Sequence, residues 1–362
     1  MQLRTVVGVV KIKVYYGYDP GQRKWGCPIR QRWGLSVHQQ LSPGLEDKLC
    51  FTLTATGSYA QAAALTEKWG SPCDDSTLHA LAQRIGKRAE ENMRVRLQQP
   101  AREKEPKRAS TELGVLLVDA WLVRHRGPGW GKRKTSQSRV DWHEMKMGVF
   151  YRQEQKAQGE NGRGLLEDKA VVSWQGDAME LGQRLHWQAQ VLGLGRARHI
   201  LALADGANWC WNLIEQRWPD ARQLLDFYHA SQHLWEMGRA LYPREEKQAQ
   251  AWVEKQLHRL RHGGKERLLK EFGAIKPPGG QLGEVVRRNQ NYFATHAKRL
   301  NYQEAAQRGW PIGSGAVESA CRSRQCRFKR PGQFWTPSGL RHLCALEEAR
   351  HNGHWNQLWT SN

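Results

Sequence analysis

No apolar run in the chain approaches the roughly 18 residues that a membrane-spanning helix needs, so none is expected. The N-terminal stretch MQLRTVVGVVKIKVYYG lacks a small-residue cleavage site, and Lys11 and Lys13 break its short apolar run. No signal peptide is expected there. Cysteines at CxxC spacing are missing too. The seven cysteines are an odd number without a pairing pattern, which fits reduced thiols in a cytosol better than a disulfide framework. Cys321 and Cys326 are neighbours, but no further Cys or His pair stands near them, so they give only a weak metal signal. Acids are scarce: 35 Asp and Glu stand against 56 Lys and Arg in 362 residues, a formal charge of +21. Such an excess implies a polyanionic partner, DNA or RNA, whose phosphates supply salt-sensitive affinity. A membrane surface is the other option. No aromatic RNA-binding signature is present.

Tryptophan, by contrast, is abundant, at 17 residues. Most of these are expected to pack in or near the core, and a few could stack on unpaired bases. The sequence does not say which.

The most informative stretch runs from His199 to Glu236. Ile200 to Ala204 is an apolar run that stops at Asp205 and Gly206, the pattern of a buried strand and a turn. Trp209 to Trp218 has helical spacing, and Pro219 and Asp220 end it. Leu224 and Leu225 then lead to Asp226 and His229. The order is strand, acid, helix, strand, acid. In α/β sheets the crevice at the carboxyl ends of strands is where ligands bind. A plainer reading makes Asp205 a helix cap and Asp226 a turn residue.

The remaining chain divides around this stretch. Residues 1–50 read as short strands and loops. Residues 51–95 read as two helices: one begins at Ser58 and stops at Gly70, and a second runs from about Ser76 to Glu90. That is a helix-turn-helix-like pair, and Arg84, Lys87 and Arg88 on the second helix are candidate DNA contacts. Residues 96–110 are polar and proline-punctuated, a linker. Residues 111–232 give three strands: Leu113 to Val118 ending at Asp119, an alternating partner reaching Tyr151, and Lys169 to Trp174. A helix from Asp177 to near Gly193 and the strands of the 199–236 stretch follow. Three strands, helix, strand, helix, strand is the order of a ribonuclease H-like mixed α/β sheet flanked by helices. Residues 233–308 read as an α-helical insertion. Residues 309–362 return to the core with a glycine turn, a helix through Glu318, and a last helix from about Ser338 to Arg350.

Asp119, Asp205 and Glu318 form the candidate constellation. Chemistry at a phosphodiester uses two divalent metals roughly 3.5–4 Å apart, clamping the attacking and leaving oxygens. Mg²⁺ or Mn²⁺ takes hard oxygen ligands and keeps waters, so a few carboxylates suffice. Without a cation, three converging acids repel one another. Arg322, Arg324, Arg327, Lys329 and Arg330, crowded after Glu318, are candidates to hold a DNA backbone against that pocket.

Four stretches carry a family resemblance: LLVDAWLVR around Asp119, WHEMKMGVF from Trp142, LADGANWCWNLIEQRWPDARQLLDFYHASQHLW from Leu203, and GWPIGSGAVESACRSRQCRFKRPGQFW from Gly309. They resemble the DDE transposases of bacterial insertion sequences, in particular the Kra-type family and more distantly the Mutator-like and hAT groups. The resemblance implies a ribonuclease H-like core interrupted by helices between the second Asp and the Glu. It implies that Asp119, Asp205 and Glu318 bind two Mg²⁺ or Mn²⁺ ions. Asp226 and His229 match an acid-x-x-His signature and stand as accessory site residues. The partners implied are DNA, both the element's own ends and a target, and a second copy of the chain or more. The compartment implied is a bacterial cytoplasm, at the nucleoid. Ala120-Trp121 departs from the family pattern, because small residues are usual after the first Asp. A nuclease or resolvase without strand transfer, and a DNA-binding derivative without catalysis, are the alternatives.

Overall fold

The computed structural model describes residues 1–21, 23–33, 35, 39–101, 112–153, 156–158, 164–166 and 169–359. The chain begins with two small antiparallel hairpins, β1 (Gln2–Thr5) with β2 (Gly8–Lys11) and β3 (Gly17–Asp19) with β4 (Lys24–Gly26). A short helix α1 (Pro28–Arg32) follows. Helical structure then starts earlier than the sequence reading placed it. Helix α2 spans Pro43–Ala55, with Pro43 in its first turn and the Ser42 hydroxyl accepting from the Leu45 N–H at 3.3 Å. That Ser-Pro start is a capping signal in its own right.

Helices α3 (Tyr59–Lys68) and α4 (Asp75–Leu97) are the expected pair, and Ser58 caps α3 by accepting from the Gln61 N–H at 3.1 Å. Helix α4 outruns its expected end at Glu90. Ala89 and Met93 continue the buried stripe of Leu78, Leu81 and Ile85, so burial carries the helix onward. Residues 102–110 of the expected linker lie outside the described residues.

The central sheet has five strands in the order β11-β10-β5-β6-β9. They are β5 (Leu113–Arg126), β6 (Val140–Arg152), β9 (Lys169–Trp174), β10 (His199–Ala204) and β11 (Arg222–Leu225); a separate small hairpin pairs β7 (Lys156–Gln158) with β8 (Gly164–Leu166). Strand β10 runs parallel to both β5 and β11, and β6 runs antiparallel to β9. The sheet is therefore mixed, as the element order led one to expect. Helices α5 (Ala178–Val191) and α6 (Asn208–Arg217) connect its strands. Val115, Leu117, Leu201, Leu203, Leu224 and Leu225 are all buried, as near-continuous apolar strands in a covered sheet should be.

One strand differs from its expected bounds. β5 does not stop at Asp119 but continues to Arg126. Its parallel ladder with β10, however, ends at Val118 opposite Ala204, so Asp119 sits just past the last paired residue. The run reads as ending at Asp119 because the apolar stretch ends there, while the strand goes on as an alternating pattern.

Helices α7 (Phe227–Leu241), α8 (Glu246–Arg261), α9 (Lys265–Ala274), α10 (Gly280–Thr295) and α11 (Tyr302–Gln307) make up the helical stretch expected between Asp226 and Glu318. Helix α12 (Gly315–Phe328) carries Glu318, and α13 (Pro337–His351) ends the helical series. Among the described residues, no helix is long and apolar enough to cross a membrane.

Two compact units result. One comprises Met1–Gln99, Val123–His143 and Arg324–Asn362; the other comprises Pro100–Leu122 and Glu144–Ser323. The first unit includes α13, which the sequence reading grouped with the sheet. Leu340, Leu343 and Leu346 of α13 are buried, and the helix packs on α4. The two backbones meet at Gly86, where a Cβ would lie 2.3 Å from the His342 carbonyl oxygen. His125, also in the first unit, is 2% exposed, packs on His143 with tilted rings whose centroids are 4.3 Å apart, and has no hydrogen-bond partner for Nε2 among the described residues. Burial, reinforced by His143, pushes its pKa down to about 4 against a smaller opposing effect of Asp141.

Two stability outcomes follow from these contacts. Gly86→Ala should destabilise the protein by about 1–3 kcal/mol through overpacking, read as a lower urea midpoint; an unchanged midpoint would contradict the close approach. The folded protein also refuses a proton that the unfolded chain accepts near pH 6.5. Stability is therefore complete above that pH and is lost as pH falls toward 4, on the order of 3 kcal/mol from this residue. In His125→Phe this loss should vanish, so the melting temperatures of variant and unaltered protein should diverge on acidification. Parallel acid profiles would rule the assignment out.

Candidate functional site

The parallel ladders dictate where the acids lie. Val118, Ala204 and Leu225 occupy one level across β5, β10 and β11, and Asp119, Asp205 and Asp226 each follow by one residue. Neighbouring strands stand about 4.8 Å apart, so the three acids form a row at the carboxyl ends of three strands with Asp205 in the middle. All of them, with His229 and Glu318, belong to the second unit.

Each acid is held differently. The Asp119 Oδ1 accepts from its neighbour's N–H, Ala120, at 2.7 Å. Burial pushes its carboxyl above the ordinary range and Asp205 adds to the rise; the Ala120 N–H, the Cys321 thiol and His229 oppose it. Trp121, the departure from the family pattern, is buried at 4% exposure and packs. The Asp205 Oδ1 accepts from the Ala207 N–H at 3.0 Å, a local turn and not the helix cap of the plainer reading, because Ala207 takes the N-cap position of α6. Its carbonyl accepts from the Tyr292 hydroxyl at 2.7 Å. Gly206 follows with φ +110°, and a Cβ there would lie 2.8 Å from the Tyr292 ring. Only glycine accommodates both demands.

Asp226 has no solvent exposure. Its Oδ1 accepts from the His229 N–H at 2.7 Å and lies 3.3 Å from His229 Nδ1; its Oδ2 accepts from the Ser314 N–H at 2.5 Å. It therefore caps α7 as well as ending β11. Burial pushes this carboxyl up, but the hydrogen bonds of His229 and Ser314 outweigh it and hold the pKa below the ordinary range. His229 is correspondingly raised, first by its hydrogen bond to Asp226, against burial, with Asp205 and Asp119 adding to the rise.

Glu318 lies on α12, exposed, and its Oε1 accepts from the buried Ser314 hydroxyl at 2.5 Å. Ligand atoms of Asp226, His229 and Glu318 all lie within 4.8 Å of one another. Cys321, three residues along the helix from Glu318 and so on the same face, donates to Met147 Sδ at 3.6 Å and lies near enough to Asp119 to favour its charged form. Helix α12 thus touches both ends of the row of acids. The structure brings Glu318 together with Asp226 and His229, and sets Asp119 and Asp205 close enough to each other and to His229 for their charges to interact; Glu318 meets the row at its Asp226 end. Asp226 is the least available of them for a cation, because N–H donors engage both of its oxygens. Oxygen donors on Asp119, Asp205 and Glu318 suit a hard divalent ion, and the upward push of Asp205 on Asp119 is the repulsion such an ion relieves.

Three contributors escaped the sequence reading. Ser314 had a signal, a Ser between two glycines four residues before Glu318. Cys321 and Tyr292 had none, because their role depends on which helix faces the strand ends.

The basic residues fare unevenly. Arg322 is exposed. Arg324 and Arg327 are not surface charges: they are 4% and 6% exposed and paired with Glu347 inside the first unit. A buried guanidinium paired with a carboxylate does not reach a DNA backbone, so these two leave the set of expected contacts. Lys329 lies 5.2 Å from the Trp142 ring centroid, and Arg330 donates to Gln61 Oε1 at 3.2 Å. Arg84, Lys87 and Arg88 are all exposed on α4, but Arg84 is paired with Glu46 and Arg88 donates to the Leu358 carbonyl at 2.9 Å.

No protein-family model matches the chain, and no curated protein matches it. Among solved structures, the chain is similar to the Drosophila P element transposase in its strand transfer complex. The likeness has 10% identity, covers 87% of this chain and 79% of that one, and has a TM-score of 0.30. At that level it identifies neither the fold nor the activity.

Proposed function

We propose that this chain is a DDE-type transposase of the Kra-type insertion-sequence kind, cutting DNA at the ends of its element and joining them to target DNA. What supports the reading best is the placing of Asp119 and Asp205 just past adjacent parallel strands, in one row with Asp226, beside which Glu318 of α12 lies. The four sequence stretches that resemble that family contain these same residues. The formal charge of +21 fits a DNA partner.

The reaction is hydrolysis of a phosphodiester to leave a 3′-hydroxyl, followed by attack of that hydroxyl on a second phosphodiester. Asp119, Asp205 and Glu318 would hold two Mg²⁺ or Mn²⁺ ions. When bound, such ions lower the pKa of the attacking hydroxyl group and neutralise charge on the phosphate. The protein's own work is placement. Asp119 and Asp205 each spend one oxygen on a backbone N–H, which fixes the direction of the other. Asp226 holds the His229 ring through Nδ1 and leaves Nε2 as the edge able to meet a phosphate oxygen. Ser314 orients the Glu318 carboxylate with its hydroxyl and is itself anchored through its N–H to Asp226. DNA recognition falls to α3 and α4, and a second protomer completes the DNA complex.

Asp119→Asn, Asp205→Asn and Glu318→Gln should each lower Mg²⁺-dependent excision by roughly three orders of magnitude, the several kcal/mol a metal site supplies, while DNA binding persists. A plasmid carrying the gene with its natural flanks is the substrate. Full excision by the Glu318→Gln protein would remove that residue from the site. Ser314→Ala keeps the N–H to Asp226 but loses the hydroxyl. It should raise the Mg²⁺ needed for half-maximal cleavage roughly 10- to 100-fold, the usual effect of removing a group that orients a metal ligand. An unchanged Mg²⁺ profile would show that Glu318 needs no such support.

A further inference from the structure

The hairpin end of β5 and β6, in the first unit, carries a row of side chains that the acid cluster does not use. Trp130 and Trp142 are 40% and 54% exposed, a large apolar surface left in water. Cations and rings alternate around them. The Arg124 guanidinium lies 5.8 Å from the Trp142 ring centroid and 5.1 Å from that of Phe334. Phe334 in turn packs on Trp130 with centroids 4.7 Å apart, and Arg126 lies 5.5 Å from the Trp130 centroid. Lys329 Nζ lies 5.2 Å from the Trp142 ring centroid. The result is a continuous strip, Trp142–Arg124–Phe334–Trp130–Arg126.

The strip is built on fixed backbone. Trp335 pairs alongside β5: its N–H donates to the Arg124 carbonyl at 3.0 Å, and its carbonyl accepts from the Arg126 N–H at 2.9 Å. Arg124 also donates to the Arg330 carbonyl. The turn is closed by the Gly127 and Gly129 N–H groups, which donate to Arg139 and Ser138 carbonyls at 3.0 and 2.8 Å. Between residues 127 and 139 stand Lys132, Arg133, Lys134 and Arg139, and no acid.

We propose that this strip is a binding platform for a single nucleic-acid strand. Exposed ring faces take the flat faces of bases, and the alternating cations and the basic turn take the phosphates between them. The strand must be unpaired, because bases in a duplex already use their faces on one another. An anionic membrane or an acidic protein would satisfy the charge but leaves the ring faces without planar partners. The proposal stands independently of the reading of the acid cluster.

The test is anisotropy of labelled oligonucleotides on the full chain at moderate salt. An oligothymidylate should bind more tightly than a duplex of equal length, and an abasic strand of the same length roughly 10- to 100-fold more weakly than the oligothymidylate. The double variant Trp130→Ala, Trp142→Ala should lose a similar factor on the single strand and little on the duplex; Trp130→Phe, Trp142→Phe should keep most of the affinity. The Asp119→Asn protein, inactive on the reading above, should bind the strand as the unaltered protein does, so loss of cleavage and loss of this platform are separate results. Equal binding of the abasic strand and the oligothymidylate would overturn the proposal. So would displacement of the strand by anionic vesicles as effective as displacement by unlabelled oligothymidylate. The abasic comparison needs no variant to fold.

Discussion

A carboxylate shut away from water, Asp226, stands between the consecutive elements β11 and α7 and joins them to a turn 88 residues further along the chain. It ends β11, it caps α7 through the His229 N–H, and it accepts the Ser314 N–H of the turn before α12. A second backbone bond, from the Phe227 N–H to the Ile312 carbonyl at 3.0 Å, runs beside it. A buried carboxylate without donors is strongly disfavoured, so its three contacts are effectively obligatory. They set the position of α12 against the strand ends, and through it the position of Glu318. The geometry at the strand ends depends on that clamp.

The same residue type serves different ends in this small volume, and surroundings decide which. Asp226 is held ionised by hydrogen bonds despite complete burial, whereas Asp119 is pushed toward protonation by burial and by Asp205. A group whose charge is already satisfied suits bracing. A group whose charge is in excess suits a cation. The helical stretch between Asp226 and Glu318 is not a detached appendage either: Tyr292 of α10 hydrogen-bonds to the Asp205 carbonyl and crowds Gly206. The residues that follow Asp205 are thereby tied to a helix 87 positions away.

Positive charge is likewise divided by environment. Arg324 and Arg327 neutralise Glu347 within a packed helical unit, and their loss there would leave that acid buried and alone. Arg124 and Arg126, by contrast, are placed against rings at a surface. An arginine count therefore overstates how much of the +21 is presented to a partner.

Elements whose apolar pattern is local were legible in the residues alone: the buried runs of β5, β9 and β10, the Ser58 cap of α3, the helices through the insertion, and the acids that follow strand ends. The sequence also singled out Asp119, Asp205 and Asp226, because acids that end apolar runs are visible in one dimension; Glu318 stood out by the glycines before it and the basic run after it, and His229 by the resemblance. What it did not carry was whatever depends on a neighbour. Burial of Ala89 and Met93 lengthened α4, pairing with Trp335 accompanied β5 beyond Asp119, and α13 took its place against α4 at Gly86. Burial of Arg324 and Arg327, the Ser314 bridge and the Tyr292 contact were decided only by tertiary structure. Periodicity records which face of an element is apolar, but the partner that covers that face is chosen by packing across the whole chain.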